Sequence, residues 1–351
     1  MYIMDETDFI VLPLAYNDFC EDVISISQTG TFTGEISLER VLSASSIHKI
    51  ISFISEDMKG KDRCYVIDMR NIISYAEHSF TQLQKIIEAN IIFFGASDET
   101  GIKLNEDIPG KLLDLSDKMK GTKRLRKEAI CQIQTKVEKI YLNETAKIVR
   151  WMSHKITKIE SEKITPLDSS GVFCNMYVNA KKLFLDPDKY YFILYQMILR
   201  IAKYKEQIDA LISASRNGAN LANIIGWLLN IKVVHCITLG PKFSLSMQNI
   251  NKDIRKRKNY FYIFDFMCLG TEAKVLNAIL AVKGARLIGG MGIANYIAID
   301  KSSGQGVISK MNTLIDTHTA NLDYKIAGTK EDILKLLREG EEKDESGLQK
   351  I

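Results

Sequence analysis

The stretch that most constrains the fold is an apolar run at 260–264, which ends on one carboxylate, Asp265, before a short turn and Gly270-Thr271. This order of residues predicts a buried strand, a turn and the start of a helix. The free N–H groups of a helix start bind phosphate, and a glycine there allows close approach. We therefore predict a phosphate-binding strand–loop–helix at 261–273. A buried strand ending in a capped helix that binds nothing would look much the same.

The surrounding region alternates between strand and helix. Its apolar spacing predicts helices at 189–204, 221–230 and 271–283, and strands at 208–214, 232–237, 260–264 and 285–289. Such alternation produces right-handed crossovers and a parallel sheet. Ligands of these sheets bind beyond the carboxyl ends of the strands, so we expect a site in the loops after Ala214, Ile237 and Phe264. His235, inside an apolar strand, is expected to be a core histidine.

The chain is predicted to have four parts. Short strands at 9–14, 64–68 and 91–94, with helical spacing at 43–58 and 79–89, predict a small α/β domain at 1–103. Residues 104–163 are predicted to form a linker and a helical segment, because the apolar spacing at 122–159 indicates one long amphipathic helix or two. A second α/β domain follows at 164–328. The remainder, 329–351, is expected to be a charged helical tail that becomes disordered near 341–346.

Composition excludes several classes of protein. The 351 residues are 46% hydrophobic and 26% charged, enough for two cores. The net charge of +4, from 47 basic and 43 acidic residues, is too close to balance to indicate nucleic-acid binding. We expect no secretion signal and no membrane span. The six cysteines form no C-x-x-C pair, which argues against a zinc site and a disulfide framework and favours a reduced, cytoplasmic protein.

Three segments, in chain order, resemble the orotate-type (type I) phosphoribosyltransferases. The strand–loop–helix is similar to that family's diphosphoribosyl-binding motif. Residues 208–222 resemble its first core strand and pyrophosphate loop, with Gly218 at the close-approach position. Residues 167–171, with Asn179 and 185–187, resemble its amino-terminal segment. The resemblance implies a parallel-sheet phosphoribosyltransferase-like fold over about 164–300.

The resemblance also implies a ligand and a reaction. The ligand would be phosphoribosyl diphosphate, with Mg²⁺, or a nucleoside 5′-monophosphate, and the reaction would transfer the phosphoribosyl group to a nitrogenous base. Asp265, which would hold ribose hydroxyls, and Lys242, which would serve the leaving group, are the candidate catalytic residues. For Lys242, an exposed loop lysine is the favoured alternative, and Arg216 is either a bidentate phosphate ligand or a partner in a surface salt bridge. The candidate ligand-binding residues are Ser215, Arg216, Asn217, Gly218, Met267, Cys268, Leu269, Gly270 and Thr271.

Departures from the family pattern fall on catalytic positions. Phe264 stands where the first of two acids is expected, Asp168 and Ser169 replace an expected lysine, and residues 238–242 lack the family's basic loop. Such losses remove electrostatic stabilisation of the transition state. The basic stretch at 244–259 could compensate, or could be a solvated loop. The sequence therefore allows three functions: an active glycosyltransferase, a catalytically inactive nucleotide sensor, or a scaffold that binds no nucleotide.

The amino-terminal part resembles STAS domains, the fold of anti-sigma-factor antagonists, over residues 65–83. The strand ending in Asp68 fits, but His78 stands on the usual phosphoacceptor position. The resemblance implies contact with a protein partner through the helix that starts at Ser79, and an unrelated small α/β unit is the alternative. We expect the chain to bind this protein partner and to form a homodimer. The combination of a degenerate ligand-binding fold with an interaction module suggests a role in regulation or bacterial defence, but this is an association and not a chemical argument.

Overall fold

The computed structural model describes residues 3–6, 9–14, 22–26, 32–38, 41–42, 44–58, 63–70, 72, 74–75, 80–81, 90–95, 113–114, 127–156, 164, 166, 171–236, 253–296, 306–317 and 319–348. They divide into two compact units. The first comprises Met1–Tyr141 with Asp188–Tyr195, and the second comprises Leu142–Pro187 with Gln196–Ile351. The finer divisions expected at 103, 163 and 328 stay predictions.

The first unit is built on a five-stranded mixed sheet. Its described elements are β1 (Met4–Glu6), β2 (Phe9–Pro13), β3 (Asp22–Ile26), β4 (Phe32–Leu38), β5 (Val41–Leu42), α1 (Ala44–Asp57), β6 (Cys64–Asp68), β7 (Ser74–Tyr75), β8 (Asn90–Phe94) and β9 (Leu113–Asp114). The sheet order is β1-β2-β6-β8-β9, and β1 alone runs antiparallel to its neighbour. Two short pairs, β3 with β4 and β5 with β7, lie apart from it. The STAS resemblance stays a prediction, and residues 82–89 of the helix expected at 79–89 lie outside the described residues.

The long helix α2 (Lys127–Met152) ends before the predicted residue 159, because strand β10 (Ser153–Lys155) starts directly after it. Residues 122–126 of the predicted helix lie outside the described residues. The elements that follow along the chain are β11 (Phe173–Cys174), β12 (Met176–Val178), α3 (Pro187–Ile201), β13 (Ala210–Ser213), α4 (Arg216–Leu229), β14 (Lys232–His235), β15 (Asn259–Ile263), β16 (Phe266–Met267), α5 (Thr271–Val282), β17 (Arg286–Asn295), β18 (Met311–Asp316), β19 (Ile326–Ala327) and α6 (Lys330–Leu348). All of them belong to the second unit except the part of α3 at Asp188–Tyr195, which belongs to the first. Three 3₁₀ helices cover Ala180–Leu185, Ala202–Gln207 and Val307–Lys310.

The second unit contains a six-stranded sheet in which every pairing is parallel. The order is β14-β13-β15-β17, with β16 and β18 also paired to β17. The predicted parallel α/β architecture is therefore confirmed for this unit. Because the strands point the same way, the loops that follow β13 and β15 emerge at one edge of the sheet.

One face of this sheet carries an aromatic core. Tyr260, Tyr262 and Phe264 of the β15 segment are buried there together with Leu276 and Leu280 of α5. The rings of Tyr262 and Phe264 stack with centroids 5.1 Å apart. Successive residues of a strand alternate between the faces of a sheet, so these three aromatic side chains share one face.

Three sequence expectations are corrected by the second unit. The strand expected to end at Gly289 continues to Asn295 through three glycines, which allow side chains of the neighbouring strands to lie flat against its backbone. His235 is exposed rather than in the core, because β14 is an edge strand, and its Nε2 lies 2.9 Å from Asn223 Oδ1. Residues 341–346, which were expected to be disordered, are part of helix α6. This helix is capped at its start by Thr329, whose Oγ1 accepts a hydrogen bond from Asp332 N at 3.1 Å.

The glycine at 292 is required by packing. A Cβ added there would lie 2.1 Å from the Phe264 ring. We predict that Gly292→Ala lowers the free energy of unfolding by about 1–3 kcal/mol through overpacking. Urea denaturation would measure this, with Gly328→Ala as the control, since a Cβ at Gly328 meets nothing within 4 Å. Equal loss of stability in both variants would contradict the packing argument.

Candidate functional site

The predicted phosphate turn joins β16 to α5. Gly270 has a φ of +69°, a left-handed conformation that favours glycine, and a Cβ there would lie 2.1 Å from Ile308 Cδ1. Gly270 is the N-cap residue of α5, and it has no side chain that could accept from the first N–H groups of the helix. The helix start therefore presents backbone donors and the positive end of its dipole.

The second loop follows β13 and starts α4. Ser215 caps this helix, and its Oγ accepts from Gly218 N at 3.0 Å. A Cβ at Gly218 would lie 2.7 Å from the Ile263 carbonyl oxygen and 2.8 Å from Ser213 Oγ. Gly218 therefore lies close to the backbone of β15. This packing explains why a glycine stands here, whether or not the loop binds pyrophosphate.

The two loops are joined at Asp265. Asn217 Nδ2 donates to Asp265 Oδ2 at 2.8 Å, and the backbone oxygen of Asp265 accepts from Ile293 N at 2.9 Å and from Ala294 N at 3.2 Å. These contacts hold the backbone and one carboxylate oxygen in place. The other oxygen of this half-buried carboxylate is the group that a ligand could contact.

The remaining predicted residues differ in how they could take part. Arg216 is exposed and, among the described residues, forms no ion pair, so the salt-bridge alternative has no partner in that part of the chain. Met267 and Cys268 are buried, and Leu269 and Thr271 are half-buried. Lys242, Asp168 and Ser169 lie outside the described residues.

The basic stretch at 244–259 is only partly described, and its described portion is at the wrong end of the sheet. Residues 255–258 precede β15, whereas Asp265 follows it. The five residues of β15, which extend about 16 Å at roughly 3.3 Å per residue, lie between these positions. Lys258 Nζ is also paired with Asp209 Oδ1 at 2.6 Å. These four basic residues therefore do not compensate for charge missing at the turn.

Glu272 is a carboxylate near the turn that the sequence reading missed. Tyr262 Oη donates to Glu272 Oε2 at 3.0 Å. Burial raises the pKa of Glu272, and the negative charge of Asp265 raises it further, while the tyrosine hydrogen bond acts in the opposite direction. Acidic residues are common in the first turn of a helix, because they interact favourably with the positive end of the helix dipole. The position of Glu272 in the sequence therefore did not indicate a functional role.

Phe264 occupies the position where the family pattern has an acid. Its ring is 2% exposed and belongs to the aromatic core. A carboxylate in this orientation would be buried among apolar side chains at high cost. The phenylalanine at this position is thus part of the packing of β15.

The space beside the turn is small. A cavity of about 30 Å³ is lined by Tyr262, Phe264 and the residues of 266–273. Small-molecule pockets usually measure roughly 300–1,000 Å³. A nucleotide would therefore contact the outer surface of the turn, or the turn would have to open. Among the described residues no cluster of three or more His, Cys, Asp or Glu side chains could hold a metal ion, and no described helix is long and apolar enough to cross a membrane.

No family model and no curated protein matches the sequence. Among solved structures, it is similar to an orotate phosphoribosyltransferase from Aeropyrum pernix, with 16% identity and a TM-score of 0.38 over 50% of this chain and 94% of that one. It is similar to Leishmania donovani UMP synthase, with 9% identity and a TM-score of 0.39 over 84% of this chain and 58% of that one. An adenine phosphoribosyltransferase from Thermoanaerobacter pseudethanolicus gives 12% identity and a TM-score of 0.35 over 49% and 99%. At these values the similarities establish neither a family nor an activity for this chain.

The raised pKa of Glu272 predicts a pH-dependent loss of stability. A carboxyl whose pKa is higher in the folded state stays protonated there while the unfolded chain ionises, so folding loses free energy as the pH rises above the ordinary value near 4.5. We predict that wild type loses stability relative to Glu272→Gln between pH 4 and pH 7, measured by urea denaturation. Glu331→Gln, an exposed first-turn position of α6, is the matched control. A wild-type to Glu272→Gln difference that stays constant with pH would contradict the assignment.

Proposed function

We propose that the second unit binds the 5′-phosphate and ribose of phosphoribosyl diphosphate or of a nucleoside 5′-monophosphate. The observation that carries this proposal is the hydrogen bond from Asn217 to Asp265, which joins the loops after β13 and β15 into one surface. Both loops lie at the carboxyl edge of a parallel sheet, where ligands of such sheets bind. The resemblance of both loops to phosphoribosyltransferase motifs supports the same ligand.

In this proposal each group has a separate part. Backbone N–H groups at the start of α5 receive the 5′-phosphate, and the Thr271 hydroxyl lies beside them. The free oxygen of Asp265 accepts from a ribose hydroxyl. Arg216, exposed at the start of α4, pairs with pyrophosphate oxygens.

Mg²⁺ fits this set of residues as a companion of the ligand. It is commonly held by one or two carboxylates together with substrate phosphates. Asp265 has a carboxylate oxygen free for it, whereas Glu272 is engaged by Tyr262. A bound Mg²⁺ would neutralise charge on the diphosphate. Transfer, if it occurs, would break the bond from the anomeric carbon to pyrophosphate and form one to a base nitrogen.

A catalytically inactive nucleotide sensor is the second candidate, and two observations favour it. The core position of Phe264 leaves Asp265 without an adjacent acid, and the described basic residues 255–258 lie at the opposite end of β15. Both features weaken stabilisation of a cationic ribose and a departing pyrophosphate more than they weaken ground-state binding. The sensor would report its ligand to a protein partner through the first unit. That partner, a homodimer and a purely scaffolding role stay predictions from sequence.

Binding and turnover can be measured on the same protein. We expect calorimetric binding of phosphoribosyl diphosphate with Mg²⁺, or of a nucleoside 5′-monophosphate, that weakens about tenfold or more in Asp265→Ala, because a charged hydrogen-bond acceptor is lost. Asp253→Ala is the matched control, since Asp253 lies beyond the other end of β15. Pyrophosphate release with a panel of bases identifies a transferase, and binding without release identifies a sensor. Absence of binding to every ligand would overturn both and leave the scaffold.

A further inference from the structure

Basic residues are concentrated where four strands of the six-stranded sheet begin. We call the segments at the starts of β13, β14, β15 and β17 the basic edge; they are residues 203–209, 230–232, 253–258 and 283–286. The basic edge contains nine Lys or Arg residues and three Asp or Glu residues. Its excess of six positive charges is larger than the net charge of +4 of the whole chain. The near balance of the complete sequence therefore conceals a local concentration of charge.

A concave surface lies within the basic edge. It is a cavity of about 710 Å³, and the cations that line it come from three of the four segments: Lys205, Lys232, Arg255 and Lys258. The four strand starts lie side by side in the order β14-β13-β15-β17, at about 4.8 Å per strand, so the basic edge is about 14 Å wide. A surface of this width can contact more than one phosphate of a polyanion.

Backbone hydrogen bonds join the segment before β15 to the fourth segment. Arg257 N donates to the Gly284 carbonyl oxygen at 2.8 Å, and Arg286 N donates to the Lys258 carbonyl oxygen at 3.0 Å. Arg257 has a φ of +59°, in the left-handed region that disfavours residues with a Cβ. Backbone preference therefore does not explain an arginine at this position, and strained residues of this kind concentrate at functional sites.

Most of these cations have no acidic partner. Within the part of the chain that the structure describes, Lys258 is the one cation of the basic edge in an ion pair, with Asp209 at 2.6 Å. The preceding stretch 237–252 contains no Asp or Glu in its sequence. The carboxyl ends of α4 and α5 favour nearby cations. This effect accounts for one cation beside each helix end, but not for the four in 253–258.

Exposed aromatic rings accompany the charges. Tyr204 lies between Lys203 and Lys205 and is 44% exposed. Trp227, whose carbonyl oxygen accepts from Asn230 N at 3.2 Å, is 60% exposed. Proteins bind single-stranded nucleic acids in grooves that combine cations for the phosphates with aromatic rings for the bases. An acidic peptide would not need the rings, and a planar bilayer would not reach the cations inside a concave surface.

We propose that the basic edge binds single-stranded nucleic acid, with its cations on successive phosphates and with Tyr204 and Trp227 stacked on bases. Phosphate contacts carry no sequence information, so binding is largely independent of base sequence. This inference does not rest on the phosphate turn, because the basic edge lies at the other end of β15 from Asp265. A nucleotide at the turn and a nucleic acid at the basic edge would occupy opposite ends of the same sheet.

The test uses the whole protein and a fluorescently labelled RNA of about 12 nucleotides, with mixed sequence and a 5′-hydroxyl end. We expect binding in fluorescence anisotropy, with log K falling against log salt at a slope of about −2 or steeper, since each of three or more phosphates contributes about 0.7. Asp265→Ala should bind this RNA as wild type does, even where it loses the nucleotide. Equal displacement of the RNA by polyglutamate, or binding to phosphatidylserine vesicles without binding to RNA, would overturn the proposal.

Paired variants test the cations and the rings. Arg255→Ala/Arg286→Ala removes two cations whose described hydrogen bonds use only backbone atoms. It should weaken RNA binding about tenfold or more and make the salt slope shallower by about 1.4. Arg150→Ala/Arg338→Ala removes two exposed arginines of α2 and α6, and this control should bind as wild type does. Trp227→Ala should weaken binding at least about fivefold, because a stacked base is lost.

Arg257→Gly separates binding from folding. Glycine adopts the left-handed conformation without strain, so this variant should keep the melting temperature of wild type. The loss of one cation should nevertheless weaken RNA binding roughly three- to fivefold. No RNA binding by wild type, unchanged binding by the arginine pair of the basic edge, or equal weakening in the control pair would each contradict the proposal.

Discussion

The geometry of the candidate site depends on the close packing of α4 against the carboxyl end of β15. Gly218 makes this packing feasible, because any side chain there would overlap the Ile263 carbonyl oxygen. The short distance allows Ser215 to cap α4 and places the Asn217 amide against Asp265. The parallel register of β13 with β15, Ala210 opposite Tyr260, keeps the two strand ends level. Without this approach the two loops would not share a surface.

The second constraint is the alternation of side chains along β15. Tyr260, Tyr262 and Phe264 face the core beneath α5, so the strand delivers its polar group only after it has ended, at Asp265. The hydroxyl of Tyr262 is also buried and finds its acceptor in Glu272. The core thus removes one acid from the site and engages another. The position before Asp265 therefore serves packing in this protein and provides no carboxylate to the turn.

The parts of this arrangement that local pattern encodes were predictable. The helix expected at 271–283 is α5 at Thr271–Val282, and the strand expected at 208–214 contains β13 at Ala210–Ser213, since apolar runs and helix starts are local signals. The parts that depend on neighbours in the folded structure were not predictable. The length of β17 follows from which side chains lie on its glycines, and the exposure of His235 follows from β14 being an edge strand. The role of Glu272 likewise depends on a tertiary neighbour, because its acceptor oxygen is bound by the Tyr262 hydroxyl.

The distribution of charge along β15 bears on which function this unit can have. Basic residues precede the strand and carboxylates follow it, so the described cations 255–258 lie at the opposite end of β15 from the proposed pyrophosphate position at Arg216. Of the described residues proposed as ligands there, Arg216 is the single cation. Ground-state binding of a phosphate can rest on backbone N–H groups and one guanidinium, whereas transfer also needs stabilisation of charge that develops on both sides of the breaking bond. In the proposed site, the described groups therefore support binding of a phosphate more than transfer of a phosphoribosyl group.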